Sequence, residues 1–393
     1  MMDTVATTNA AYKSVSHRLL SMKALREAVF LNTRFDKTST LLRFECDAVL
    51  QDNISSTALY YRESTHTWVW KLRDENGILD NCVLKIFLLA SAKPARGRQK
   101  TDGVGNGKNH EIEVRFLQMF SSMARSGLSP HVVLPIGHTT FSAEQVRLVL
   151  NSKQRVPDGE YMVLLSECAD ASLYSDMEAD NLSPYNLKVL IFQVVYTLMV
   201  IQDTFSSFRH NDLHLSNVLT QALQSTGVDR YILGSDDLVY IDLQRAPRRA
   251  LLWDMFFSSI SYADAKKYSL QEDHVVPSAW VESRHCPNNY YDLHKFFDSL
   301  EFTLSKKAKD DFVEERALID LVVPEHLKCL SKNRTRDERR HLKLWEQCIM
   351  RPADVLALPY FQELRTRPPG KRIIKQYSRE ASRLKSLATK SES

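Results

Sequence analysis

The run VLIFQVVYTLMVI, from Val189 to Ile201, most constrains what this chain can fold into. It carries no charge over thirteen residues, so folding must withdraw nearly all of it from water. Ser183-Pro184 just upstream reads as an N-cap followed by proline at the first helical position. Leu187, Ile191, Val194, Leu198 and Ile201 then recur at helical spacing, which predicts a helix with one apolar face in a core. The run is shorter than the ~20 residues that span a bilayer. The first residues, MMDTVATTNAAYKSVSHRLL, lack the apolar stretch of a signal peptide. The expectation is a soluble intracellular chain with no membrane span.

Directly after this helix stands FRHNDLHLSNVL, residues 208–219, where two histidines, two asparagines and an aspartate crowd between apolar ends. A plain polar loop, a metal site or a phosphoryl-transfer site would each account for it. Upstream the pattern is that of strands. STALYYRES and THTWVWKLR are rich in aromatic and β-branched residues, the turn DENG follows, and CVLKIFLLA comes next, which predicts an antiparallel sheet. Residues 91–109 read as a connector with four glycines and five Lys or Arg. Asn109 reads as the N-cap of HEIEVRFLQMFSSMA, and VVLPIGHTTF and YMVLLSEC as further strands. DLVYIDL, Asp237 to Leu243, is one more strand beyond the polar stretch. The fold class is therefore α+β, a small β-rich part followed by a larger, mostly helical one. The boundaries read as a helical extension at 1–40, a first domain at 41–168, a second at 169–365 and a basic tail at 366–393.

Phosphoryl transfer needs a cation on the triphosphate, ligands for Mg²⁺ and a carboxylate at the attacking hydroxyl. The protein-kinase template meets these needs with His-x-Asp-x4-Asn, an Asp ending the next strand, and a Lys on an upstream strand. This chain has His210, Asp212 and Asn217 at that spacing, Asp242 25 residues after Asn217, and Lys85 inside CVLKIF. On these residues, and on FQVVYTLMVIQDTFSSFRHNDLHLSNVL, NNYYDLHKFFDSL and MRPADVLALPYFQEL, the chain resembles eukaryotic-type Ser/Thr protein kinases, and more closely those of large DNA viruses. The resemblance spans roughly residues 55–365 and implies a bilobal fold, ATP and Mg²⁺ as cofactors, and a protein substrate. It implies that Asp212 orients or deprotonates the substrate hydroxyl, that Asn217 and Asp242 hold Mg²⁺, and that Lys85 holds the α/β-phosphates while paired with a helix Glu. Glu113 shares a helical face with Leu117 and Phe120, whereas Glu111 pairs with Arg115 at i,i+4, so Glu113 is the expected partner. Glu167, Cys168 and Ala169 would meet the adenine through their backbone, with Ser166 gating the pocket behind them. His210 would brace the loop. Asp292, beside the apolar face of Leu293, Phe296, Phe297 and Leu300, would need loop N–H groups as partners if buried. A viral source would place the chain in host cytoplasm or virion.

The pattern also departs from the family. Arg62, Ser64 and Thr67 stand where the phosphate loop has glycines, whose missing Cβ lets the backbone approach phosphate closely. GVGNGK, Gly103 to Lys108, does not fit GxxxxGK[ST] and reads as a basic connector. Asp242 is followed by Leu243-Gln244, Asn211 replaces the Arg that binds an activating phosphate, His214 stands at a common Lys position, and no Ala-Pro-Glu follows. A switch through activation-loop phosphate is therefore expected to be absent. Three readings stay open: an active protein kinase, a pseudokinase scaffold, and a small-molecule phosphotransferase with an HGDLH-like loop. His210, Asp212 and His214 alternate as zinc ligands could, but no nearby cysteine completes such a set. The six cysteines stand apart with no CxxC, as reduced thiols do. Net charge is only +4, yet nine Lys or Arg against two Glu lie between Arg365 and Ser393, a local +7 suited to an acidic partner or to solvation.

Overall fold

In the computed structural model, residues 42–43, 54–62, 67–74, 82–91, 108–150, 156–223, 225–260, 290–308, 310–325, 328 and 350–379 are described. The expected extension at 1–40, Ser64, residues 75–77 of the DENG turn, Gly103 to Gly107 of GVGNGK and the tail beyond Arg379 lie outside them. Two compact units are formed. One takes the described residues up to Ser121 together with Val133–Ala169; the other takes Ser122–Val132 and the described residues from Asp170 onward. The mixed α+β class follows, with an N-terminal, largely antiparallel sheet before most of the helices.

The first unit holds a six-stranded sheet. Its strands are β1 (Leu42–Arg43), β2 (Ile54–Arg62), β3 (Thr67–Asp74), β4 (Cys82–Ser91), β5 (Pro135–Ser142) and β6 (Gly159–Glu167). The spatial order is β1-β5-β6-β4-β3-β2, antiparallel throughout except for β1 beside β5. On β3 the residues alternate as a half-buried strand should, with Trp68, Trp70 and Leu72 inward. Central β4 is buried on both faces from Cys82 to Phe87. Helix α1 (Lys108–Arg125) begins one residue before the expected cap, so Asn109 lies in its first turn. Glu113, Val114, Phe116, Leu117 and Phe120 form its buried side.

One helix of this unit was not foreseen. Ser142 and Gln145 form a capping box, with Gln145 N–H on Ser142 Oγ at 3.3 Å and Ser142 N–H on Gln145 Oε1 at 2.8 Å. It starts α2 (Ala143–Leu150), which buries Ala143, Val146 and Leu150 at helical spacing.

The second unit is built on α4 (Pro184–Thr204), which follows the short α3 (Leu173–Glu178). Ser183 caps α4 by accepting the Asn186 N–H at 3.2 Å, with Pro184 in the first turn, as the sequence predicts. The single apolar face was too narrow an expectation: nearly every residue of α4 is buried. By length and composition the helix could cross a membrane, but its apolar window is 89% buried inside the unit, the state of a core helix.

Two three-stranded sheets flank it where a mostly helical domain was expected. One joins β7 (Ala171–Ser172), β8 (Val218–Ala222) and β11 (Arg248–Leu252); the other joins β9 (Val228–Ile232), β10 (Leu238–Asp242) and β12 (Ile373–Ser378). Among the described residues this unit also has helices α5 (Tyr291–Leu304), α6 (Val313–Val322) and α7 (Pro352–Leu356) and a 3-10 turn at Pro359–Arg365.

Strand β12 comes from the segment read as a basic tail. It runs parallel to β9. Tyr377 is buried with its ring 4.9 Å from that of Tyr231, which also meets Tyr196 at 5.0 Å and Phe192 at 5.1 Å. Two of the tail's cations, and Arg365 just before it, find acids in this same chain: Lys371 on Asp242, Arg379 on Asp203 and Arg365 on Asp237. Neither of the two described cysteines, Cys82 and Cys168, is in a disulfide.

Candidate active site

In the second unit, the polar stretch after α4 is held by one face of α5. Asp292 is wholly buried, and its carboxylate accepts two backbone N–H groups, from His210 at 2.6 Å and Asn211 at 2.9 Å. Burial pushes this carboxyl up, and the charge of His210 with the two N–H donors works against that rise without cancelling it. One turn on, Lys295 Nζ lies 3.3 Å from Asp212 Oδ1. Another turn on, Ser299 Oγ accepts the Leu215 N–H at 3.2 Å. Positions 292, 295 and 299 share a helical face, so one side of α5 fixes the loop at several points.

Within the loop each residue has a defined task. His210 is buried, and its Nε2 lies 2.9 Å from the Trp253 carbonyl, which only accepts, so that nitrogen carries the proton. Asn211 sits in the left-handed region with φ +63°, which asparagine tolerates, and its Nδ2 donates to Ser259 Oγ at 2.9 Å. His214 Nδ1 accepts the Ser216 N–H at 3.3 Å, which leaves Nε2 toward Asp212 Oδ2 at 3.6 Å. Burial raises the Asp212 carboxyl, but His214, Lys295 and His210 outweigh it and hold it below the ordinary carboxylate range. Asn217 Nδ2 donates to the Asp212 carbonyl at 2.9 Å. Its Oδ1 accepts no hydrogen bond among the described residues, so the amide keeps one oxygen available to a ligand.

Asp242 ends β10 and is nearly buried. Its Oδ1 accepts the Gln244 N–H at 3.1 Å. Lys371 Nζ stands 2.7 Å from Oδ1, 2.8 Å from Oδ2 and 3.0 Å from Gln244 Oε1.

In the first unit, Lys85 Nζ donates to Glu113 Oε1 at 2.7 Å, with both side chains almost fully buried. The carboxylate chosen from the helical face is the one that meets the lysine. At the end of β6, the Glu167 carboxylate accepts the Leu134 N–H at 2.7 Å, and Glu167 N–H returns a bond to Leu134 O at 3.1 Å. Its side chain thus ties β6 to the segment before β5. Ser166 Oγ is buried with no partner among the described residues. The half-buried Cys168 thiol donates to Ala169 O at 3.1 Å. Arg62 and Thr67 oppose each other at the neck of the β2–β3 hairpin.

A "Putative serine/threonine-protein kinase R400" of Acanthamoeba polyphaga mimivirus is 29% identical over 291 residues, 64% of this chain and 58% of that relative. A "Probable serine/threonine-protein kinase" of Dictyostelium discoideum is 40% identical over 86 residues, 21% of this chain and 7% of the relative. A second mimivirus protein, "Putative serine/threonine-protein kinase R301", is 26% identical over 110 residues, 25% of this chain and 28% of its own length. The chain is a homologue of serine/threonine-protein kinases. No protein-family model matches it. It spans little more than half the length of the first of these curated relatives, and less of the other two.

Of the residues assigned from the kinase resemblance, Asp212, Asn217 and Asp242 lie in the second unit, and Lys85, Glu113, Glu167 and Ala169 in the first. Two neighbours of this set were missed. Lys295 was legible in principle, because it falls one turn after Asp292 on the face that holds the loop. Lys371 was not. It lies 129 residues from Asp242, and only the docking of β12 brings it there.

Proposed function

We propose that this kinase homologue is an ATP- and Mg²⁺-dependent protein kinase that transfers the γ-phosphoryl group to serine or threonine hydroxyls of proteins. The observation that carries the reading is the Asp292-held loop, which fixes Asp212 and leaves Asn217 one unengaged amide oxygen. Mg²⁺ takes hard oxygen ligands, and an amide oxygen with a carboxylate suits it. Asn217 and Asp242 would hold the ion, which when bound neutralises phosphate charge. Lys85, oriented by Glu113, would hold the α/β-phosphates. Asp212 accepts the hydrogen bond of the substrate hydroxyl and aims its oxygen. Its lowered pKa makes it a weak base, so positioning outweighs proton removal in its contribution.

The reading includes an atypical phosphate loop. With Arg62, Ser64 and Thr67 at the glycine positions, close backbone approach to phosphate is restricted, and nucleotide affinity leans on Lys85. It also carries the bilobal kinase fold, a soluble intracellular setting, and adenine contact by the backbone of residues 167–169.

Transfer of labelled γ-phosphate to generic protein substrates, comparing wild type with Asp212→Asn and Lys85→Met, tests it. Both variants should lose nearly all signal, and equal signal in all three discards the proposal. Phosphoamino-acid analysis then separates Ser/Thr from Tyr. A second reading, a scaffold with impaired nucleotide handling, is favoured by the ammonium of Lys371 on Asp242. Absent transfer in wild type together with retained protein binding would select it.

A further inference from the structure

Asp242 is more heavily engaged than a metal-binding aspartate in a kinase site needs to be. An ionised carboxylate offers about four lone-pair positions. Lys371 Nζ takes one on each oxygen, and the Gln244 N–H takes a second on Oδ1. Among the described residues no other donor reaches this carboxylate, so one position remains, on Oδ2. The ammonium is equally saturated: its three donors face Oδ1, Oδ2 and Gln244 Oε1.

Lys371 does not hang from a loose tail. Pro368-Pro369 and Gly370, the latter in the left-handed region at φ +71°, turn the chain into the site. The next carbonyl, Arg372 O, accepts the Val228 N–H at 3.0 Å, and β12 follows along β9. At the far end Tyr377 is buried, Ser378 N–H donates to Gly127 O at 3.0 Å, and Arg379 pairs with Asp203. The strand therefore sets the lysine in place as part of the fold.

Resting on the kinase reading above, we propose that Lys371 is a resident cation of the nucleotide site. It fills the place of one of two divalent ions, so this chain works with a single divalent cation held through Asp242 Oδ2 and Asn217. In the kinase template two Mg²⁺ ions share the strand-end Asp and the loop Asn. An ammonium bridging both oxygens of that Asp leaves no second carboxylate position for a second ion and puts a like charge beside it. It supplies in exchange a positive charge fixed by the protein at any Mg²⁺ concentration. Lys371 acts through Asp242 and is a positioning residue.

The test counts Mn²⁺ by electron paramagnetic resonance on the full chain with a non-hydrolysable ATP analogue. Wild type and Lys371→Arg should each bind one Mn²⁺ per chain, and Lys371→Met should bind a second. In transfer assays, Lys371→Met should need about tenfold more Mg²⁺ for half-maximal rate, the size of one charge-assisted contact, and recover at high Mg²⁺. Two Mn²⁺ in wild type, or one in Lys371→Met of unchanged denaturation midpoint, overturns the inference. So does faster transfer by Lys371→Met at limiting Mg²⁺, which would make the lysine a block. No nucleotide-dependent Mn²⁺ in any of the three removes the kinase reading itself. Two Mn²⁺ in wild type overturns the inference even if a variant fails to fold.

Discussion

Replacing Asp292 by alanine should unfasten the polar loop while leaving the helix that carries it intact. The side chain is fully buried and accepts N–H groups from His210 and Asn211 at 2.6 and 2.9 Å. Hydrogen bonds to a charged group contribute roughly 1.5–3 kcal/mol each, so the gross loss is about 3–6 kcal/mol. Part is returned, because the variant no longer buries a carboxylate whose pKa burial has already raised. A net loss of about 3 kcal/mol is expected. Asp292→Asn keeps one acceptor oxygen and should lose about half as much. Urea denaturation of the full chain, followed by tryptophan fluorescence, reads the change as a midpoint shift of about 1 M. Hydrogen exchange should show the His210 and Asn211 amides losing protection beyond that global change. If Asp292→Ala unfolds within about 0.5 kcal/mol of wild type and both amides keep their protection, the loop is held by something else and the reasoning fails.

Three further outcomes follow from particular contacts. A Cβ on Gly227 would lie 2.1 Å from Ile374 Cδ1 and 3.0 Å from Arg372 O, so Gly227→Ala should destabilise the β12 docking by about 1–3 kcal/mol. Ile374→Ala in the same chain should recover part of it, and an additive double variant would contradict this. Glu113→Gln removes the carboxylate charge 2.7 Å from the buried Lys85 ammonium and should lower stability by about 3 kcal/mol. Lys85→Met/Glu113→Gln should lose less than Glu113→Gln alone, as thermal denaturation would report. Asp212 is held below its ordinary range by His214 and Lys295 against the effect of burial, so it stays ionised at pH values where a free carboxyl would protonate. Removing either partner raises that pKa. The acid limb of the kcat profile should therefore move to higher pH in Lys295→Met and in His214→Ala, and an unmoved limb would dissociate Asp212 from the rate.

What the sequence disclosed and what it hid divide along the range of the interactions involved. The cap at Ser183, the alternation on β3 and the inward face of Glu113 are local patterns. A period of two or of 3.6 residues, or a hydroxyl before a proline, has one inexpensive local solution, and the chain adopts it. Even the overlooked helix α2 carried its signal in Ser142 and Gln145. The loop could be anticipated as a unit because Asp292, needing partners among apolar neighbours, had to meet backbone donors somewhere. Strand β12 had no such local mark. RIIKQYS reads as a short segment in a basic stretch, and charge counting assigns its cations to solvent or to a foreign acid. What decides the matter is a parallel pairing across about 145 residues, between Val228 and Ile373, with Tyr377 seated against Tyr231. Composition registers that a lysine is present but says nothing of which carboxylate lies opposite once distant strands align. The residue that grips both carboxylate oxygens of Asp242 is therefore one whose neighbours in sequence suggest only solubility. The general consequence for this chain is directional: any substitution that loosens β12, at Gly227, Ile374 or Tyr377, should act on Asp242 as well. Its effect on Mn²⁺ stoichiometry should resemble that of Lys371→Met in proportion to the docking lost. Variants that destabilise β12 yet leave the metal count at one would separate the strand from the site and refute this linkage.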